Sequence, residues 1–211
     1  MKKILFLLAT AALLALGTSA SAQRRSSRPA PSLTAGFITL SPTYCHSDGS
    51  TNDNFLTLAA GVRQLIPIQA STSLNLAYGA DLEWMMYTGK NGREYLSYNQ
   101  NLIGVKVPFS LVYKYDLNDE ISFFPYVGLH VSGYLYGRAS ASAAGYSSSV
   151  NVFSEDDMWT GAYKRFLLGA QVGAKACYEN IFFGIGYERS LTALMPDTVV
   201  GRINFAIGFA F

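Results

Sequence analysis

A histidine and a serine two positions apart, His130 and Ser132, are the residues that most resemble a nucleophilic site. An imidazole can take the proton of a nearby hydroxyl when an acidic residue orients the ring. Strand alternation places both side chains on one face, together with Tyr126, Tyr134 and Tyr136, and we assign that face to the interior of the fold. The rest of a hydrolase pattern does not appear. We therefore favour a hydrogen-bonded interior histidine and predict no catalytic residue.

Charged side chains recur on the strand face that also carries glycine, alanine and serine. A charge away from water is costly unless it is paired or hydrated, so opposite charges should meet there. Hairpin geometry places Glu83 opposite Lys106 and Glu188 opposite Arg202. The predicted lumenal polar network comprises Arg63, Asp81, Glu83, Lys106, His130, Lys175, Glu188 and Arg202. Two interpretations stay open: a network that fills the interior and fixes strand register, which we favour, and an anion-selective pore.

A run of acidic residues, Ser154 to Asp157, lies in the longest predicted loop. Clustered carboxylates can bind Ca²⁺, but the spacing is not that of an EF-hand. No metal-ligand spacing, phosphate-binding loop or dinucleotide motif is present, so we expect no metal and no cofactor. A solvated external loop is the favoured interpretation. For contact with an external ligand or protein, the candidate residues are Tyr146, Phe153 and Trp159.

The N-terminal residues are predicted to be a processing signal. Lys2 and Lys3 precede an apolar run, and Ala20-Ser21-Ala22 fits a cleavage site, so 1–22 is assigned to a signal peptide. No cysteine follows to accept a lipid anchor. Residues 23–33 are basic, rich in serine and proline, and predicted to be a flexible linker. Residues 34–211 form the predicted folded domain.

Composition excludes several classes of function. The net charge is +2, so nothing favours a nucleic-acid partner. Hydrophobic residues make up 50% and charged residues only 14%, against about a quarter in an average protein. Beyond the predicted signal, no stretch approaches the roughly 20 apolar residues of a membrane helix. The hydrophobic residues instead alternate with small or polar ones, which indicates strands that separate two different environments.

Period-two patterning predicts eight strands. They are placed at 34–44, 54–67, 73–87, 101–115, 121–138, 163–178, 181–191 and 200–211. These strands match or exceed the roughly nine to eleven residues that a tilted membrane strand needs. Short connections alternate with longer ones, which is the layout of a barrel with periplasmic turns and extracellular loops. Lipid offers no partner to an open edge, so the last strand should pair with the first.

The sequence therefore predicts an all-β fold, an eight-stranded antiparallel up-and-down transmembrane β-barrel. A soluble lipocalin-like barrel is the alternative that alternation alone leaves open. Cys45 and Cys177 fall at opposite ends of the predicted barrel. Opposite rims are about 25 Å apart, against a limit of about 7 Å between the Cα atoms of a disulfide, so we expect two free thiols.

Three stretches carry a family resemblance: "VKVPFSLVYKYDLNDEISFFPYVGLHVSGYLYG", "FGIGYERSLTALM" and the final "GRINFAIGFAF". They resemble the PorT-like, porin-family small outer-membrane β-barrel domains over essentially the whole chain after the linker. The resemblance implies a barrel inserted by the outer-membrane barrel assembly machinery. The implied assembly signal is the last strand with its aromatic residues Phe205, Phe209 and Phe211. The secretion role of PorT itself is not carried over.

The expected location is the bacterial outer membrane, with the N-terminus periplasmic, the long loops extracellular, lipid around the wall, and a monomeric state. The favoured function is a structural or surface-interaction role through the loops. Two alternatives stay open. One is a channel for small solutes, which the porin-family resemblance suggests. The other, which we consider less favoured, is an enzyme acting on outer-membrane lipid through His130 and Ser132.

Overall fold

The computed structural model describes residues 32–47, 50–68, 73–90, 96–143, 146–154, 162–195 and 197–211. The predicted signal peptide and all but the last two residues of the predicted linker lie outside these ranges. The first strand already begins at Leu33, the last residue assigned to that linker.

The described residues form ten β-strands and contain no helix. The strands are β1 Leu33–Ser47, β2 Ser50–Pro67, β3 Leu74–Lys90, β4 Leu96–Tyr113, β5 Tyr115–Asp116, β6 Ile121–Ala143, β7 Tyr146–Asn151, β8 Phe166–Tyr178, β9 Ile181–Ser190 and β10 Val199–Ala210.

Eight of these strands form a closed wall. Each wall strand pairs antiparallel with the next along the chain, and β10 returns to pair with β1, for example at Leu40 and Phe205. Two short strands attach to the wall: β5 pairs with the start of β6, and β7 pairs with its end. Closure leaves neither wall edge without a hydrogen-bonding partner. The predicted fold class, an eight-stranded antiparallel up-and-down barrel, is therefore confirmed.

The two ends of the barrel differ. At one end, which we call the turn end, the connections are short: 68–73, 114–120 and 179–180. At the other, the loop end, the strands run further than predicted. β1 reaches Ser47 and β2 begins at Ser50, so the connection predicted over 45–53 is almost entirely a strand hairpin. Pairing satisfies the backbone groups of these polar segments, which alternation of apolar residues could not reveal.

Three polar side chains form a small interacting group at the turn end, outside the barrel interior. Asp116 accepts a hydrogen bond from the Ser122 hydroxyl and pairs with the Lys114 ammonium at 3.0 Å. These two interactions, the first the larger, lower the pKa of Asp116. The Lys114 side chain is exposed, and β4 ends one residue before it.

The outer wall is apolar on every strand that closes the barrel. Large exposed hydrophobic side chains include Ile38, Leu58, Leu82, Phe109, Val127, Val172, Ile185 and Ile207. The residues between them point inward and are mostly small, polar or charged. Aromatic residues gather on the outside of the turn end, where Tyr113, Phe183 and Phe209 are exposed.

A β-bulge shifts the alternation near the loop end of β6. Ile103 faces Tyr136 while Gly104 faces Tyr134, so one extra residue of β6 lies between the two pairs. Leu135 and Tyr136 are consequently both exposed. The prediction that Tyr136 faces the interior was wrong for this reason, whereas Tyr134 is buried inside.

Barrel closure can be tested by cross-linking the first and last wall strands. In a chain lacking its native thiols (Cys45→Ala, Cys177→Ala), Leu40→Cys with Phe205→Cys should form a disulfide under mild oxidation, because these residues are direct partners. The matched control Leu40→Cys with Phe209→Cys is offset by four residues, about 13 Å along the strand. Non-reducing gel mobility reports the bond. Equal cross-linking of both pairs would contradict the register.

Candidate functional site

The eight side chains of the predicted polar network all lie on the inner face of the barrel. Six are buried, and Arg63 and Lys175 retain partial exposure within the interior. They come from β2, β3, β4, β6, β8, β9 and β10, so the network draws on nearly every wall strand. We call this group the central polar layer.

Lys106 on β4 is the centre of this layer. Its Nζ lies 2.9 Å from Glu188, 3.1 Å from Glu83 and 3.7 Å from Asp81. Glu188 belongs to β9, which is three strands away from β4 around the wall, so this contact spans the interior. One buried ammonium thus serves three carboxylates, which offsets the cost of burying each of them.

Arg202 makes a second connection across the barrel. It extends from β10 to Glu83 on β3, at 2.7 Å, and donates to the Tyr134 hydroxyl at 2.9 Å. Arg63 on β2 donates to Asp81 on β3 through its two terminal nitrogens, Nη1 and Nη2. A bidentate pair of this kind fixes the relative position of two neighbouring strands.

One of the two hairpin pairings expected from the sequence is wrong. Glu188 does lie opposite Arg202, as predicted. Lys106, however, lies opposite Asp81 and not opposite Glu83, which faces Gly104. The β3–β4 hairpin is centred one residue earlier than expected, and this moves every cross-strand pair by two positions. Lys106 still reaches Glu83 diagonally through its long side chain.

Lys175 differs from the other three cations of the layer. No carboxylate of the described residues lies within ion-pair distance of it. Its Nζ instead lies 4.0 Å from the centre of the Phe37 ring and 5.4 Å from that of Tyr126. Aromatic faces attract a cation, so these rings partly replace the missing carboxylate.

His130 and Ser132 both point into the interior. Ser132 makes a long hydrogen bond of 3.5 Å to Glu83, and Nδ1 of His130 is buried with no hydrogen-bond partner among the described residues. The imidazole lies against Gly169, where any Cβ would come within 2.3 Å of it. The cavity beside the two side chains measures about 10 Å³, the space of a single water at most. His130 and Ser132 are not hydrogen-bonded to each other.

Two apolar layers close the barrel above and below the polar layer. At the loop end, buried residues from the wall and from the loops form one cluster: Cys45, Phe55, Met85, Leu102, Tyr134, Ala139, Val152, Tyr163, Leu167, Leu194 and Val200. At the turn end, the second cluster comprises Ala35, Phe37, Leu65, Ala77, Val112, Phe124, Cys177, Phe182 and Ala210. Phe182 is its centre, with ring contacts to Phe37 and Phe124 at 5.5 and 5.3 Å.

Several of these layer residues were not foreseen from the sequence. Val152 and Leu194 belong to segments between strands, which no periodicity assigns to an interior. Tyr163 lies before β8, although the sixth strand was predicted to begin at this residue. The Tyr163 hydroxyl donates to Gln100 at 3.2 Å inside the loop end. Phe37 and Phe182 could have been found, because each occupies an inward position in its own strand. No disulfide joins Cys45 to Cys177, which lie in different clusters at opposite ends.

Two of the three residues predicted for external contact, Tyr146 and Phe153, lie in the described ranges. Tyr146 is highly exposed at the start of β7. Phe153 is half-buried beneath the Arg165 guanidinium, 4.3 Å from its ring centre. Trp159 and the acidic residues after Ser154 lie outside the described residues. No group of three metal-ligating side chains occurs in the described ranges.

No helix long and apolar enough to cross a membrane is found among the described residues.

No protein-family profile matches the chain, and no curated protein is similar to it in sequence. Solved structures do match. One match is Ail, the attachment invasion locus protein of Yersinia pestis, whose structure was solved in complex with the heparin analogue sucrose octasulfate. Ail is 14% identical to this chain, with a TM-score of 0.52, and the match covers 86% of this chain and all of Ail. Neisserial surface protein A is 14% identical over 86% of this chain and all of its own, with a TM-score of 0.44. The outer-membrane enzyme PagL is 11% identical over 85% of this chain and 99% of its own, with a TM-score of 0.48. The likeness to Ail supports the barrel fold.

Removing the central cation should destabilise the barrel strongly. Lys106→Met leaves Glu188 and Glu83 buried with fewer partners, and we expect a loss of about 3–5 kcal/mol in the free energy of unfolding. The control Lys114→Met removes an exposed pair with Asp116 and should cost at most about 1 kcal/mol. Urea unfolding in lipid vesicles measures both. Similar losses in the two variants would show that the central layer does not hold the barrel together.

Proposed function

We propose that this chain is an integral protein of the bacterial outer membrane whose barrel is closed to solutes and whose function lies in its loop-end surface. The observation that carries the proposal is the outer wall, which exposes large hydrophobic side chains on all eight wall strands. Water-soluble monomers rarely expose apolar patches larger than a few hundred Å². A lipid environment explains this surface, and it argues against the soluble lipocalin-like alternative.

The layered interior supports the closed state. A solute would have to pass one apolar cluster, the ion-paired central layer and a second apolar cluster. Eight strands enclose an interior just wide enough for side chains to fill. The alternative of a small-solute channel would require these layers to move apart, against the cross-barrel pairs of Lys106 and Arg202.

The remaining features of the assignment follow from this placement. We propose that the turn end and both chain termini face the periplasm, that 1–22 is removed as a signal peptide, and that the barrel acts as a monomer. Phe205, Phe209 and Phe211 all face outward, and the last two lie at the turn end, as an assembly signal for the barrel machinery would require. Membership of the PorT-like family belongs to the same proposal.

The barrel interior does not favour an enzyme. His130 and Ser132 are enclosed between the apolar layers, and a lipid chain outside the wall cannot reach them. A structural or surface-interaction role through the loop end is therefore the proposed function, without catalysis.

Planar-bilayer recording tests the closed interior. The folded protein, identified by heat-modifiable gel mobility, should give no steady conductance at any salt concentration, whereas a general diffusion porin reconstituted in parallel should conduct. Steady currents that scale with salt would support the channel alternative. A mature chain that stays soluble without detergent would overturn the membrane placement itself.

A lipid profile tests the absence of catalysis. Cells expressing the wild-type chain and the Ser132→Ala variant should have identical lipid A mass spectra, because the Ser132 hydroxyl does not reach the membrane. The control is a strain lacking the gene. A lipid A species present only with the wild-type chain would establish enzyme activity and contradict our assignment.

A further inference from the structure

A cleft of about 350 Å³ opens on the outside of the barrel near the loop end. We call it the arginine cleft, and it is lined by Leu135, Tyr136, Arg138, Ser149, Phe153 and Arg165. The cleft lies between two sets of strand pairs along β6. Pairing of β6 with β7 ends at Asn151, and pairing of β6 with β8 begins at Phe166. The cleft is therefore a gap in the wall and not part of the closed interior.

Both guanidinium groups of the cleft are held in place. Arg165 lies over the Phe153 ring, and its guanidinium reaches the Tyr134 carbonyl at 3.5 Å. Arg138 donates to the Ser149 hydroxyl on β7. The Phe153 ring packs against Gly137, where a Cβ would lie 2.6 Å from the ring. Phe153 can therefore form the floor of the cleft because residue 137 is a glycine. Fixed guanidinium groups lose little freedom when they bind an anion.

The cleft is positively charged over its described lining. Within the described ranges, neither Arg138 nor Arg165 has a carboxylate within ion-pair distance, and no acidic side chain lines the cleft. The described exposed charges at the two ends also differ. The loop end carries the cations Arg138, Lys164, Arg165 and Arg189 against one acid, Asp197, and the turn end carries the acids Asp116, Asp119, Glu120 and Glu179 against one cation, Lys114.

The cleft lies at the upper edge of the apolar outer wall. Leu135, which lines it, is 57% exposed, and Phe166, at the start of the next wall strand, is 74% exposed. An amphiphile beside this wall could therefore place its acyl chains along the apolar surface and its headgroup between the two arginines. Arginine matches phosphate oxygens through two parallel hydrogen bonds.

We propose that the arginine cleft binds the phosphorylated headgroup of a membrane glycolipid of the lipid A class. This inference rests on the proposed outer-membrane placement, which brings such lipids to the loop end. A soluble phosphorylated or sulfated sugar shares the headgroup chemistry but lacks the acyl chains that the exposed Leu135 and Phe166 would contact.

Native mass spectrometry of the barrel released from phosphatidylcholine nanodiscs tests the site. With diphosphorylated lipid A in the discs, the wild-type protein should retain one lipid A molecule. The double variant Arg138→Gln, Arg165→Gln should retain roughly tenfold less or lower, because it loses two charge-assisted contacts. The matched control Arg189→Gln removes an exposed, outward-facing cation of the loop end that does not line the cleft, and it should behave as the wild type.

Two further probes identify the chemistry. Dephosphorylated lipid A should be retained no better by the wild type than by the double variant, and glucosamine 1-phosphate should compete only weakly. Equal retention of lipid A by the wild type and the double variant overturns the inference. So does full competition by the soluble sugar phosphate, which would assign the cleft to a soluble ligand.

Heat-modifiable mobility of every variant separates these outcomes from misfolding. If the wild-type barrel does not insert into the discs, the proposed membrane placement fails, and this inference fails with it. If the barrel inserts and the double variant still retains lipid A, only the arginine cleft is refuted.

Discussion

The structure depends on one buried ammonium group that serves three carboxylates. Lys106 contacts Glu83, Glu188 and Asp81 in a space that holds little water, so each charge must find its partner within the protein. Because Glu188 lies three strands away, the interaction joins opposite parts of the wall and not only neighbouring strands. The same electrostatic requirement thus constrains strand register and helps to fill the interior, in addition to the edge pairing that closes the wall.

This requirement separates the inside of the barrel from its outside. Inside, polar groups are paired and the two ends are covered by apolar residues, so a change of one side chain disturbs several strands at once. Outside, the wall exposes mainly apolar side chains that take no part in the central ion pairs. Binding surfaces can therefore differ at the loop end without affecting the ion pairs that hold the wall.

Strand phase is a local property, and for this reason the sequence predicted it well. The alternation in β4, β8 and β10 identified which residues face inward, including Lys106, Lys175 and Arg202. Contacts across the interior, such as Arg202 with Glu83, join residues far apart in sequence, and no hairpin rule gives them. The bulge at Leu135 and the burial of Val152 and Leu194 also depend on packing, so Tyr136 was misplaced and part of the loop-end layer was missed.

The position of the arginine cleft has a geometric origin in strand length. β6 is 23 residues long, whereas its neighbour β8 has 13 and begins at Phe166. The upper part of β6 would lack a partner on this side, and β7 folds back to supply one from Arg138 onward. Leu135 and Tyr136 fall between the two ladders, where Phe153 fills only part of the gap. A long strand beside a shorter one therefore leaves an opening at the height where the apolar wall ends, and the charged residues in its described lining are Arg138 and Arg165.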